Sequence, residues 1–122
     1  MGFSHVDVEI SNIADPARRR VLSFVVDTGA LMTVVPASIL QTLGIPVIGQ
    51  RRFRGFGGIV QRSIGGAALR YQEDMAAAPV IFGEEGDTPV LGVTALEALG
   101  FEVDPVNERL HRVESLMLLE AP

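Results

Sequence analysis

The chain has 122 residues, the size of one domain, with 48% hydrophobic but only 6% aromatic residues, so Val, Ile, Leu and Ala must build its core. Its ten basic residues are all arginine and it has no cysteine, which excludes a Schiff-base or P-loop lysine, a Ser–Lys dyad, a thiol nucleophile, Cys-ligated zinc and disulfides. A net charge of −5 argues against nucleic acid as the main partner, and no apolar run approaches the roughly 20 residues of a membrane span, so a soluble, cytoplasmic protein is expected, or a soluble domain of a longer chain.

From the start, His5-Val6-Asp7-Val8-Glu9-Ile10 alternates polar and apolar residues, as a half-buried strand does. Asn12 to Arg20, with Asp15-Pro16 and three consecutive arginines, reads as a hairpin loop, and Val21 to Val26 as the returning strand. Leu31 to Val35 is a further β-favouring run. Pro36 opens a short helix over Ala37 to Leu43 that Gly44 ends. Ile48 to Leu69 is rich in Gly and Arg, and Gly55-Phe56-Gly57-Gly58-Ile59 reads as the tip of a long, mobile hairpin. Its arginines, Arg51-Arg52-Phe53-Arg54, read as a solvated hairpin face, as do Arg18 to Arg20.

Ala67 to Tyr71 and Met75 to Phe82 are two further strands split by Gln72-Glu73-Asp74. Pro89 to Gly92 is a short apolar strand, and Val93 to Leu99 a second helix with Gly100 as its C-cap. Phe101 to Val103 and Arg109 to Val113 form a hairpin around Asp104-Pro105-Val106-Asn107. Leu116 to Leu119 is strongly apolar, suited either to the core or to an interface. Many short strands and two short helices predict a small, mostly β barrel or sandwich over residues 1–122.

Against this background Asp27-Thr28-Gly29 stands out. It directly follows the apolar run Phe24-Val25-Val26, where a carboxylate has no structural use and costs free energy unless paired, hydrogen-bonded or protonated. Gly29 allows the backbone to turn tightly. There is no second Asp-Thr-Gly or Asp-Ser-Gly. A turn-forming role for Asp27 is the plain alternative. His5 and His111 lie far apart with no clear third ligand, so no metal site is expected.

The run from Phe24 to Ala30, then Phe56-Gly57-Gly58-Ile59, then Pro89-Val90-Leu91-Gly92, resembles in content and order the retropepsin-like aspartic proteases, which include retroviral enzymes and small bacterial relatives. Leu96 to Phe101, Val103-Asp104-Pro105 and Arg109-Leu110 are similar to the closing helix and hairpin of the bacterial members. The resemblance spans residues 5 to 113. It implies a small closed barrel-like acid-protease fold with a flap hairpin and one or two short helices.

By this resemblance Asp27, Thr28 and Gly29 form the catalytic loop. Ala30, Leu31, Met32, Val34 and Val90 would line the substrate site, with Phe56, Gly57, Gly58 and Ile59 closing over it as the flap tip. Val90-Leu91-Gly92 would brace the catalytic loop. One chain supplies one Asp27, so a carboxylate pair sharing a proton requires a homodimer, in which Thr28 would hydrogen-bond across the two-fold axis. Leu116 to Leu119 and His5 to Ile10 are candidate strands for an intersubunit sheet. The implied activity is peptide hydrolysis without metal or cofactor. The alternative is a catalytically silent peptide-binding or dimerisation module on the same fold. Retroviral members carry an acid directly after the Asp-Thr-Gly-Ala run and an Arg directly after the second Gly. Leu31 and Val93 stand there instead, which removes that ion pair, makes the site wall more apolar and places the chain nearer the bacterial relatives.

Overall fold

The fold is organised by a sheet that closes on itself. The computed structural model describes residues 5–104, 106–107 and 109–119. Its elements are β1 (His5–Ser11), β2 (Arg19–Val26), β3 (Thr33–Pro36), α1 (Ala37–Thr42), β4 (Gly49–Gly55), β5 (Gly58–Tyr71), β6 (Asp74–Gly83), β7 (Val90–Leu91), α2 (Val93–Leu99), β8 (Phe101–Asp104) and β9 (Arg109–Arg112). Seven strands form one sheet in the order β1-β2-β7-β3-β6-β5-β4, and β1 also pairs with β5 through Glu9 to Ser11. This last pairing turns six strands into a ring and leaves β4 as an outlying strand on β5. Strands β8 and β9 form a separate two-stranded sheet.

The ring exists because alternate residues of its strands are apolar and face inward. Val8, Ile10, Phe24, Val35, Leu69, Val80 and Leu91 are fully buried, joined by Leu40 of α1 and Ala95 of α2. The core is aliphatic, as composition requires, with Phe24, Phe82 and Phe101 as its buried aromatics. Tyr71 packs edge-on against Phe101 at 5.0 Å, and Arg112 lies over the Phe101 ring while pairing with Asp74. These contacts tie the β8–β9 hairpin to the main sheet. At the hairpin's own turn the Asp104 carboxyl is held below its usual pKa, chiefly by the Asn107 side-chain amide. Pro105, part of the expected turn, lies outside the described residues.

Both helices end as the glycines require. Gly100 adopts φ 81° and its N–H donates to the Leu96 and Glu97 carbonyls. Gly44 adopts φ 72° beyond α1, where a side chain would collide with the Arg18 guanidinium. Arg18 and Asn12 donate to the Thr42 and Leu43 carbonyls, so the β1–β2 loop caps this helix.

Two elements differ from the sequence expectation, and at a third, Leu116 to Leu119, only the core alternative is overturned. The second arm of the long hairpin and the strand at Ala67 to Tyr71 are one continuous strand of 14 residues, since Gly65-Gly66 makes no turn. Gly65 instead permits close packing, because a Cβ there would lie 2.6 Å from the Pro46 carbonyl oxygen. Leu31 and Met32 bend rather than extend, because the Ala30 and Leu31 carbonyls are engaged by α2. Leu116 to Leu119 is neither strand nor core, and its side chains are exposed.

Phe24 is the largest fully buried side chain among the described residues and sits three residues before Asp27. Phe24→Ala is expected to lower unfolding free energy by about 3–5 kcal/mol, measured by urea denaturation. A loss below about 1 kcal/mol would contradict its place at the centre of the core.

Candidate active site

Asp27 follows β2 at the point where the chain leaves the ring. Its strand is fixed on the far side by β7, through Val25↔Val90 and Val26↔Leu91 in parallel pairing. The Asp27 N–H donates to the Leu91 carbonyl at 3.2 Å, the last bond of that ladder. The chain then turns: the Ala30 N–H donates to the Asp27 carbonyl at 3.1 Å, and the Gly29 N–H donates to Asp27 Oδ1 at 2.8 Å. Asp27 is half-buried, and its Oδ2 has no hydrogen-bond partner among the described residues. A Cβ on Gly29 would sit 3.2 Å from Asp27 Oδ1, so a side chain there would crowd the carboxylate.

The turn from β7 into α2 holds this loop from below. The Val93 N–H donates to the Ala30 carbonyl at 2.8 Å, and the Leu31 carbonyl accepts both the Thr94 N–H at 3.0 Å and the Thr94 hydroxyl at 2.8 Å. The Gly92 N–H donates to Thr33 Oγ1 at 3.1 Å, and Thr33 is fully buried. Gly92 is packed so closely that a Cβ would lie 2.5 Å from the Met32 carbonyl carbon. Only a glycine lets the two loops touch there.

The residues singled out from the sequence fall into two groups. Asp27, Thr28, Gly29, Ala30, Leu31 and Met32 form one loop, and Val34 and Val90 are paired strand neighbours beside it. Thr28, Gly29 and Leu31 are exposed, while Ala30, Met32, Val34 and Val90 are partly so. Phe56, Gly57, Gly58 and Ile59 lie at the far end of the β4–β5 hairpin, whose two-residue turn is Phe56-Gly57 with Gly58 at φ 107°. This tip stands clear of the body: a Cβ on Gly55, Gly57 or Gly58 would meet no other atom within 4 Å, and Phe56 is fully exposed. The structure therefore joins the first group and leaves the second apart from it in the single chain.

Two residues of this loop arrangement escaped the sequence reading, Thr33 and Thr94. A hydroxyl inside the apolar run Leu31-Met32-Thr33-Val34-Val35 is the signal that could have exposed the first. Thr94 binds the Leu31 carbonyl through both its backbone N–H and its hydroxyl, while Leu31 and Val93 themselves carry no charge.

Comparison with known proteins agrees with this geometry. Residues 6–95 match the family model for aspartyl proteases. A search of curated proteins finds no match. Among solved structures, the chain is similar to the EIAV protease in complex with the inhibitor HBY-793, with TM-score 0.59 and 18% identity over 81% of this chain and 89% of that one. It is also similar to a retropepsin-like aspartic protease from Rickettsia conorii, with TM-score 0.58 and 20% identity over 85% of this chain and 76% of that one. For the simian foamy virus (mac) protease the TM-score is 0.55 and the identity 19%, over 76% and 91%. At these identities the likeness concerns the fold.

Thr33→Val is expected to cost about 1–3 kcal/mol, because it leaves the buried Gly92 N–H unpaired. Thr94→Val removes only one of two bonds to the Leu31 carbonyl and is expected to cost less, about 0.5–1.5 kcal/mol. Urea unfolding of both variants checks the order. Equal stability of Thr33→Val and wild type would show that the hydroxyl does not hold the loop.

Proposed function

The chain belongs to the aspartyl protease family, and from this premise we propose that it is a homodimeric endopeptidase, a relative of the bacterial members, working through Asp27 from each of two chains. The observation that carries the reading is the carboxylate of Asp27. The backbone N–H of Asp27 is fixed to the Leu91 carbonyl, its Oδ1 accepts from the Gly29 N–H, and its Oδ2 has no hydrogen-bond partner among the described residues. A group positioned by backbone and left open is suited to chemistry rather than to capping a turn.

Two such carboxylates about 3 Å apart cannot both ionise, so they hold one proton between them. The ionised one takes a proton from water, whose oxygen attacks the peptide carbonyl carbon. The protonated one donates to the carbonyl oxygen. Collapse of the tetrahedral intermediate breaks the C–N bond, with the leaving nitrogen protonated from the pair. Thr28 is exposed and has no hydrogen-bond partner among the described residues, which supports its use across a two-fold axis. The apolar side chains of Ala30, Leu31, Met32, Val34 and Val90 would seat the residues beside the cleaved bond. Phe56 to Ile59 would close over them and exclude water.

Two further features support pairing of chains. Leu116, Met117, Leu118 and Leu119 are 58–98% exposed, an apolar run that a second copy would cover. Strand β1 is bonded along its whole length to β2, yet β5 covers its other edge only at Glu9 to Ser11, leaving His5 to Val8 open on that side. No helix among the described residues is long and apolar enough to cross a membrane.

Asp27→Asn is expected to reduce peptide cleavage by about 10³-fold or more while sizing chromatography still shows the dimer. Turnover near the wild-type rate would end the mechanism. Cleavage should be fastest on the acidic side of neutrality and fall as the shared proton is lost with rising pH. A rate constant from pH 5 to pH 9 would contradict the pair.

A further inference from the structure

The arginines of the β4–β5 hairpin are not explained by the mechanism. Between Asp27 and Glu73 the chain has no acidic residue, and half of its ten arginines lie there, all on β4 and β5. These two strands therefore carry +5 in a chain of net charge −5, and the remainder carries −10. Charge of either sign would keep an exposed hairpin soluble, and mixed charge would do so without self-repulsion.

The register makes the cost specific. Arg51 lies directly opposite Arg62, a like-charge cross-strand pair that destabilises a hairpin. Arg62 is relieved by Glu84 at 2.7 Å. Arg51, Arg52 and Arg54 are exposed and have no carboxylate within ion-pair distance among the described residues. By strand alternation Arg51 shares a face with Phe53, and Arg52 shares the other face with Arg54, so cations flank both sides of the hairpin. Arg52 and Arg54 border a shallow hollow with Phe53 and Ile59. The acidic remainder of the chain would repel a nucleic-acid backbone, which leaves a smaller acidic ligand as the fitting counterpart.

We propose that Arg51, Arg52 and Arg54 select substrates with acidic side chains flanking the cleaved bond, an inference that rests on the endopeptidase reading above. The hairpin tip itself, Phe56-Gly57, is uncharged. Arg54 and Arg51 lie two and five residues from Phe56, which at about 3.3 Å per residue is roughly 7–17 Å along the strand. An extended peptide spans that distance in about two to five residues. The substrate class is thus a peptide that is apolar at the cleaved bond and acidic a few residues away.

The test uses peptides with one apolar cleavage centre, made in pairs that differ only by Glu or Gln two to five positions from it. Wild-type protein is expected to cleave the Glu member with kcat/KM about tenfold higher at low salt, the advantage shrinking as salt screens it. The triple variant Arg51→Gln, Arg52→Gln, Arg54→Gln should bring the pair together within about twofold, and the triple change to Lys should keep the preference. Equal wild-type rates, or a preference that survives in the Gln variant, overturns the inference and leaves the endopeptidase reading intact. Failure to cleave any peptide overturns that reading instead. Fluorescence anisotropy with the labelled pairs and the Asp27→Asn protein then decides on the arginines: tighter binding of the Glu member upholds their role, and equal binding ends it.

Discussion

The architecture of the site depends on one close contact, Gly92 against the backbone of Leu31 and Met32. A strand-to-helix turn comes near enough to another loop that a single methyl would not fit, and the space is used for hydrogen bonds. Four donors from Gly92, Val93 and Thr94 reach Ala30, Leu31 and Thr33. Because β7 is also the parallel partner of β2, the same two-residue strand sets the height of Asp27 and anchors the loop that follows it. The rest of the ring serves to hold β2, β7 and β3 side by side, and the buried aliphatic core supplies the free energy that does so.

This brace holds the Asp27 loop through hydrogen bonds to uncharged residues. Leu31 and Val93 cannot form an ion pair, yet the Leu31 carbonyl is bonded twice by Thr94. A partly exposed ion pair contributes little and is screened by salt, whereas two bonds to one backbone carbonyl fix the geometry of the loop directly. The apolar side chain of Leu31 lies in the same loop as Asp27, and Val93 opens the helix bonded to that loop, which fits a site that grips uncharged residues at its centre. Charge is moved outward to the hairpin, where Arg51, Arg52 and Arg54 would act at longer range.

Much of this was legible in the sequence, and for local reasons. Asp27-Thr28-Gly29 announces itself because an acid after a buried strand has no structural purpose. Gly100 and Gly44 mark helix ends because only a positive φ suits those positions. The β4–β5 hairpin follows from its glycines. What escaped was non-local. Nothing in Val90-Leu91 tells that it inserts between β2 and β3, since parallel pairing is decided by the packing of distant segments. Gly65 is a place of close approach inside a continuous strand, which depends on Pro46 arriving from elsewhere. Thr33 reads as one more β-favouring residue, and its role comes from Gly92, which the fold brings beside it.

The central claim is that one site needs Asp27 from two chains. Subunit mixing tests it most directly: wild-type and Asp27→Asn chains are exchanged at equal amounts and total peptide cleavage is compared with the same concentration of wild type alone. If both carboxylates are required, random pairing leaves about a quarter of the activity. About half the activity would mean that each chain works by itself, and would contradict the shared pair.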